Sequence, residues 1–342
     1  MPPTETGQRK KVTLKDVAKA SGVSLITVSR ALRQPETVQQ ETRDKIQKTI
    51  EDIGYIPNLT ARSLLSQRSD MIGVVVPILA SSLFADFAQG VTGVLEGKGL
   101  QMLLAVSAWS PAKEEEAVRT FIARQADAII VTGFSHTDGT RKLLNSFHGP
   151  VVETWNVRDQ IIDTAVGFDN FEAAAEMTRY LIGKGYKDIV LAGGATTSND
   201  QAIDRTRGFI AAMNAAGREV RDDTIVEFDH PASIDSGGPL IRELMNRARK
   251  PDAVFFLAEL PAHGAMLWSL SNGLKVPQDV AIAGFGDLSL SALLPVPMTT
   301  VQIKGREIGE AAANLVLQRL GGESAGKPVQ DIGYHLKIRE ST

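Results

Sequence analysis

The 342-residue sequence predicts an α/β body of two doubly wound parallel sheets behind a small N-terminal all-α head. Three observations predict it. From residue 70 onward, short apolar runs rich in Val, Ile and Ala alternate with helical patterns, as strands covered on both faces and joined by helices do. Residues 12–53 show instead three short helical patterns in succession. Charge divides between the two regions: residues 1–68 hold 12 Lys/Arg against 7 Asp/Glu, and residues 69–342 hold 25 against 33. A net charge of −3 for the whole chain hides this asymmetry. A basic head on an acidic body is expected when one module meets a polyanion.

The head elements follow in order. Thr13-Leu14-Lys15-Asp16 has the capping-box pattern, and Leu14, Val17 and Ala18 share the face behind it. Gly22 supplies the positive φ of a tight helix–helix turn. Ser24 caps a second helix, Leu25–Leu32, and Pro35 lies in the loop after it. Thr37-Val38-Gln39-Gln40 offers another capping box, and Ile46, Ile50 and Ile53 stripe a third helix. At 100° per residue, Val28, Ala31 and Leu32 form one face of the second helix. Leu25, Ile26, Ser29 and Arg30 are rotated away from it. That second face suits base reading, with Arg30 on guanine or phosphate and the aliphatics on thymine methyls. The same aliphatics also suit the core of a small bundle, and spacing alone leaves both readings open.

Gly54-Tyr55-Ile56-Pro57-Asn58 breaks the third helix, and Asn58 can cap a short helix over Leu59–Ser66. Isolated helices below ~12–15 residues are marginal in water, so this segment is expected to fray alone and to order on a partner. Leu64 and Leu65 would then await a surface, and leucine is one of the wedges that enter base steps from the minor groove. The alternative is an ordinary linker packed on the body.

Val12-Thr13-Leu14-Lys15-Asp16-Val17-Ala18, Thr27-Val28-Ser29-Arg30-Ala31-Leu32, Gly54–Asn58 and Ala61-Arg62-Ser63-Leu64 together resemble the head of the LacI/GalR family of bacterial repressors. The resemblance implies a helix-turn-helix DNA-binding head at 1–56, a hinge helix and linker at 57–69, and an effector-binding and dimerisation body at 70–342. It implies that Leu25, Ile26 and Arg30 take base-reading positions. Ala61 and Leu64 would enter the minor groove, Leu64 as the wedge. Thr13, Ser24, Thr27, Ser29, Asn58 and Arg62 complete the expected DNA-binding set. Leu65 stands where many relatives carry lysine, so a lysine's contact is not expected there.

In the body, Met71–Pro77, Gln101–Ser107, Asp127–Phe134, Pro150–Trp155, Thr164–Asp169, Asp188–Gly194, Thr224–Phe228, Asp252–Ala258 and Asp279–Phe285 are predicted strands. Ile332–Ile338 is a last strand-like run. Helical periodicity marks Phe171–Gly183, Asp200–Ala216 and Pro239–Arg249. So many strands suggest two sheets, with ligands at the carboxyl ends of the strands in the cleft between them.

An enzyme of this architecture finds little support. Gly284-Phe285-Gly286 lacks the third glycine of a dinucleotide loop, and no Gly-x-x-x-x-Gly-Lys-Ser/Thr string occurs. The five histidines show no metal spacing, and no Gly-x-Ser-x-Gly elbow appears. Neither catalytic residues nor a cofactor or metal is expected. The absence of cysteine excludes disulfides and thiolate metal sites. No apolar run is long enough to span a bilayer, and the start lacks a secretory pattern, so a cytoplasmic, nucleoid-associated protein with no membrane partner is expected.

Asp204-Arg205-Thr206-Arg207-Gly208-Phe209, Gly273–Phe285 and Pro297–Val301 look like the effector-binding body of the same family, which folds like a periplasmic sugar-binding protein. The resemblance implies two interlaced subdomains, 70–168 plus 303–327 and 169–302 plus 328–342, with three crossings between them. It also implies that Arg205 points into the cleft. Where sugar-binding relatives usually carry Asn-Asp this chain has Ala258-Glu259, and Gly286 replaces a common aspartate beside Asp287. Trp155 stands where another aspartate is frequent. At strand period 2, Glu153 and Trp155 are expected on one face, and a carboxylate in an apolar strand needs a site or a cation to face.

Fewer acidic groups beside a retained arginine favour an acid ligand held by a guanidinium–carboxylate pair. Ser81, Ser82, Glu153, Asp169 or Glu259 would meet its hydroxyls, Phe84 or Trp155 an aliphatic edge, and Asp287 is a further expected effector contact. Pro150–Trp155 and Gly284–Asp287 are also similar to the gluconate-operon branch of the family. The expected partners are therefore gluconate or a related sugar acid, a near-palindromic operator duplex and a second copy of the chain in a homodimer. The rivals are a regulator sensing a neutral sugar or purine-like ligand, and a cytosolic sugar-binding protein without DNA function. The basic head argues against the second.

Overall fold

In the computed structural model, residues 12–56, 68–193, 199–227, 233–323 and 328–342 are described. The chain divides after Ser69 into two compact units.

The first unit is built on α1 (Leu14–Ser21), α2 (Leu25–Arg33) and α3 (Gln40–Ile53). The Asp16 carboxylate accepts from the Thr13 N–H at 2.8 Å and its hydroxyl at 2.7 Å, which fixes the start of α1. Gly22, at φ 65°, ends the helix. Ser24 then caps α2 by accepting from the Thr27 N–H at 3.1 Å. Val17, Val28, Ile46 and Ile50 form the core, with Ala31 and Leu32 packed against it. Leu25 and Ile26 are 40% and 71% exposed, so they do not belong to that core.

The capping box expected at Thr37 is not made. Pro35–Thr37 forms a 3₁₀ turn closed by the Thr37 hydroxyl donating to Gln34 O at 2.8 Å, and α3 starts at Gln40 without a side-chain cap. The fixed φ of Pro35 suits that turn. Asn58, Ala61, Arg62, Leu64 and Leu65 lie outside the described residues.

The second unit holds two six-stranded sheets. The first contains β1 (Met71–Val76), β2 (Gln101–Val106), β3 (Ala128–Thr132), β4 (Val151–Thr154), β5 (Thr164–Gly167) and β11 (Val329–Asp331), in the order β11-β5-β4-β3-β1-β2. The second contains β6 (Ile189–Ala192), β7 (Ile225–Val226), β8 (Ala253–Phe256), β9 (Ala281–Gly286), β10 (Thr299–Ile303) and β12 (Tyr334–Lys337), in the order β12-β10-β9-β8-β6-β7. All pairings are parallel except β10 with β12.

Helices α4 (Ser82–Leu95) and α11 (Gly305–Leu320) cover one face of the first sheet, and α5 (Pro111–Ala123) and α6 (Asp138–Ser146) the other. The second sheet lies between α7 (Asn170–Gly183) with α8 (Asp200–Ala215) and α9 (Ile234–Met245) with α10 (Glu259–Ser271).

Three features differ from expectation. β10 escapes a hydrophobic reading because it opens with Thr299-Thr300, whose buried hydroxyls are bonded to Thr342 and Glu259. The run expected at 332–338 holds one strand, β12, and a further strand, β11, precedes it. β11 joins the first sheet, and a turn in which Asp331 accepts from the Gly333 N–H leads into β12. Residues 329–331, expected with the second sheet, therefore pair with the first. The helix expected at Pro239–Arg249 starts at Ile234 and contains Pro239. Burial of Leu240, Ile241 and Leu244, at ~1.5–3 kcal/mol each, outweighs a proline cost of about 3 kcal/mol.

α8 carries Asp200 and Arg205, and Gly208 fixes its seat against α7. A Cβ at 208 would stand 2.1 Å from the Phe171 carbonyl oxygen. Gly208→Ala should therefore push α8 off α7 and cost about 1–3 kcal/mol in urea unfolding. An unchanged midpoint would show that the two helices do not pack this closely.

Candidate effector cleft and nucleic-acid interface

On the head, α2 offers the face that base reading requires. Leu25, Ile26 and Arg30 are exposed, and Ser29 is half-buried beside them. Thr27 is tied to Ser24 through its N–H and hydroxyl, so both residues stiffen the start of the helix. Thr13 does the same for α1 through Asp16.

In the body, the loops after the parallel strands converge between the sheets. Arg205, on α8, is held from three sides. Its Nε donates to Asn170 Oδ1 at 2.8 Å, its Nη1 to Leu257 O at 2.9 Å, and its guanidinium carbon lies 3.8 Å from the Phe285 ring centroid. Burial pulls the guanidinium down to about 9 against the opposing pull of Asp200 and Asp204, so it stays charged at neutral pH. Its Nη2 makes no hydrogen bond among the described residues. Asn170 also donates to Trp155 O at 2.8 Å, linking Arg205 to the end of β4.

Trp155 is buried against Phe84 and Phe87, with centroids 4.7 and 5.3 Å away, and Phe84 meets Trp109 edge-on at 6.2 Å. The Trp155 indole nitrogen is buried without a hydrogen-bond partner among the described residues.

Glu153 and Trp155 do not share a face. β4 ends at Thr154, and Trp155 has φ 75°, which breaks the period-2 alternation. Trp155 packs with Val152 on the α4/α11 side. Glu153 points to the α5/α6 side, where it meets a cation belonging to the protein itself. His136 Nε2 lies 3.4 Å from Glu153 Oε1, and His136 Nδ1 lies 2.7 Å from Glu114 Oε1. The Ile162 N–H donates to the other Glu153 oxygen at 2.6 Å.

The remaining expected residues divide between support and surface. Ser82 is exposed at the start of α4. Asp169 caps α7 by accepting from the Glu172 N–H at 2.9 Å. Glu259 is buried and accepts hydroxyls from Ser291 and from Thr300, the latter at 2.7 Å; burial raises it to about 7 against those bonds. Asp287 accepts from Arg339 at 2.7 Å and Gln302 at 2.9 Å. Phe84, Trp155 and Arg205 are brought together with Asn170. Glu153, Glu259 and Asp287 are each engaged with internal partners.

Sequence reading missed the contacts that close the cleft. Asp200 Oδ1 accepts from the Phe134 N–H at 3.0 Å, and Asp200 Oδ2 from Asn156 Nδ2 at 2.8 Å. The same Asn156 nitrogen donates to Asp204 Oδ2 at 2.8 Å, and Arg158 pairs with Asp204. A signal did exist, since Asp200 and Asp204 are like charges at i and i+4, a repulsive pair that needs donors from elsewhere. A cavity of about 30 Å³ remains between Trp109, Ser110, Glu114, Ser135 and Asp200, room for roughly one water. Larger surface cavities, of about 460 Å³ beside Glu307 and Gln330 and about 310 Å³ beside His148 and Arg319, are lined by other residues.

A helix-turn-helix head followed by a two-lobed, sugar-binding-protein-like body defines a ligand-responsive DNA-binding regulator. Residues 13–58 match the model of bacterial regulatory proteins of the lacI family, and residues 69–339 match that of periplasmic binding proteins and the sugar-binding domain of the LacI family. The HTH-type transcriptional regulator GntR of Escherichia coli is 34% identical over 329 residues, 96% of this chain and 98% of that protein. GntR of Pseudomonas aeruginosa is 31% identical over 330 residues, 96% and 95% of the two chains. A crystal structure of a LacI-family regulator from Silicibacter pomeroyi matches with a TM-score of 0.90 at 28% identity, covering 96% of this chain and 99% of that one. The chain belongs to the LacI family of DNA-binding transcriptional regulators. Among the described residues, no helix is long and apolar enough to cross a membrane.

Burial alone would lower His136, but its bonds to Glu114 and Glu153 outweigh that and raise it to about 9. Its folded value exceeds the ordinary value of 6.5, so its contribution is complete below about pH 6.5 and is lost as pH rises through about 9. Urea unfolding of the protein should show this loss, and His136→Gln should remove the pH dependence in that window. An equal slope in both proteins would contradict an imidazolium here.

Proposed function

We propose that this regulator represses carbohydrate-utilisation genes and that its operator affinity is set by a sugar acid, gluconate or a keto-gluconate, in the body cleft. Arg205 carries the reading: a charged guanidinium oriented by Asn170, Leu257 and Phe285 keeps Nη2 free of partners among the described residues. A carboxylate is the group that fork is shaped to receive. The indole nitrogen of Trp155 calls for an acceptor, which a ligand hydroxyl supplies, and Phe84 and Trp155 offer apolar ring surface. Ser82 and Asp169 stand as the hydroxyl-binding groups at the rim, while Glu153, Glu259 and Asp287 hold the walls from behind. The similarity to regulators named GntR supports the same branch.

On the DNA side, a homodimer presents two heads to a near-palindromic operator, each α2 reading a half-site through Leu25, Ile26 and Arg30 with Ser29 beside them. Thr13, Ser24 and Thr27 anchor the helix starts against the backbone. Asn58, Ala61, Arg62 and Leu64 form the hinge contacts in the minor groove, with Leu64 as the wedge. Effector binding changes the spacing of the hinge segments and so the affinity for DNA.

Isothermal titration tests the ligand class. D-gluconate should bind saturably and D-glucose should not, and Arg205→Ala should weaken gluconate by at least about tenfold, the scale of a lost charged hydrogen bond. Equal binding of both sugars, or an unchanged affinity in the variant, would remove the acid reading.

A further inference from the structure

The cleft is closed by a carboxylate of the protein's own. Asp200, the first residue of α8 in the second lobe, reaches donors on two loops of the first. Oδ1 accepts from the Phe134 N–H at 3.0 Å and Oδ2 from Asn156 Nδ2 at 2.8 Å. The side chain is buried, and the backbone has been shaped around it. Gly133 adopts φ 75°, and a Cβ there would stand 2.4 Å from Asp200 Oδ1, so the carboxylate occupies space that only glycine leaves open. The Arg141 guanidinium donates to Phe134 O at 2.6 Å and steadies the loop that presents the N–H. Asn156 in turn is oriented by its second acceptor, Asp204.

We propose that Gly133, the Phe134 N–H and the Asn156 amide form a carboxylate-binding cradle on the first lobe, and that Asp200 is a tethered occupant which an acid effector displaces when it enters. The ligand class is a carboxylate; Asp200 already acts electrostatically on Arg205, so one effector carboxylate would meet both the cradle and Arg205, and this link rests on the sugar-acid reading above. Three features carry the cradle itself. Two donors converge on one acid group, the missing Cβ admits it, and a carboxylate is seated there across the lobe boundary. The cavity left beside Asp200 has room for about one water, and the cradle itself is filled by the Asp200 carboxylate. A tethered competitor lowers apparent affinity by the fraction of molecules in which the cradle is filled.

The test uses the full chain and hydrogen–deuterium exchange at the Phe134 amide. Without ligand, Asp200→Ala should accelerate exchange there by at least about tenfold, because the bond that protects the amide is gone. Sodium acetate should restore protection in the variant, where sodium chloride at equal ionic strength does not. Should Asp200→Ala fold poorly, Asp200→Ser keeps a small polar side chain at the helix start, is one bond too short to fill the cradle, and should likewise accelerate exchange. Unchanged exchange in the folded variants, or acceleration that acetate does not reverse, overturns the cradle.

Gluconate titration of Asp200→Ala forms the second arm. An affinity about tenfold tighter than wild type shows that the effector displaces Asp200, and an equal or weaker affinity overturns the displacement. If gluconate binds neither protein while acetate still protects Phe134, the sugar-acid reading fails and the cradle stands.

Discussion

The body depends on one constraint: parallel strands in two separate sheets send their carboxyl-terminal loops into the same space. After most strands a helix carries the chain back over the sheet, so the loops that follow β1, β3, β4, β8 and β9 are the segments left to meet. Such a meeting would collect unsatisfied backbone groups and like charges unless partners came from the opposite lobe. Asp200 supplies the principal one, accepting from a backbone N–H after β3 and a side-chain amide after β4. Arg205, one turn further along the same helix, is fixed by Asn170 and by the carbonyl after β8. A single helix thus carries both the group that closes the cleft and the group suited to an acid ligand, and Gly208 sets that helix against α7.

The charges behind the cleft follow a consistent economy. Glu153, buried in β4, would be costly alone, and His136 with Glu114 converts it into a paired group. Glu259 is handled differently. It sits among the Ser291 and Thr300 hydroxyls with a carboxyl raised to about 7 by burial, beside a neutral His263 that burial lowers to about 4. Both carboxyls are held by internal partners, whereas Arg205 keeps one guanidinium nitrogen without a partner among the described residues.

Much of this was legible in the sequence. Unbroken apolar runs located nine strands, because strands covered on both faces favour that composition. The 100° arithmetic separated Val28 from Leu25 and Ile26, and the exposures agree with it. β10 was hidden because its two threonines satisfy their hydroxyls through partners about 40 residues away in sequence. The side of Glu153 was misjudged because a single left-handed residue, Trp155, reverses the alternation after the strand. Asn156, Asn170 and Asp200 were missed for a related reason: each is an ordinary loop or cap residue until the opposite lobe is in place. Pattern reports which face a residue occupies within its element, and it is silent on what the second lobe brings to that face.

Binding at the cleft matters to the cell only if it reaches the DNA. Coupling energies between such sites are typically ~1–3 kcal/mol, or ~5–150-fold in affinity, so the effect is measurable by direct titration. The decisive measurement is fluorescence anisotropy of the full-length protein on an operator duplex recovered by selection from random DNA, titrated with and without saturating gluconate at fixed salt. The account predicts a shift in operator affinity of at least about fivefold with gluconate and none with glucose. An operator affinity identical in all three conditions would contradict it.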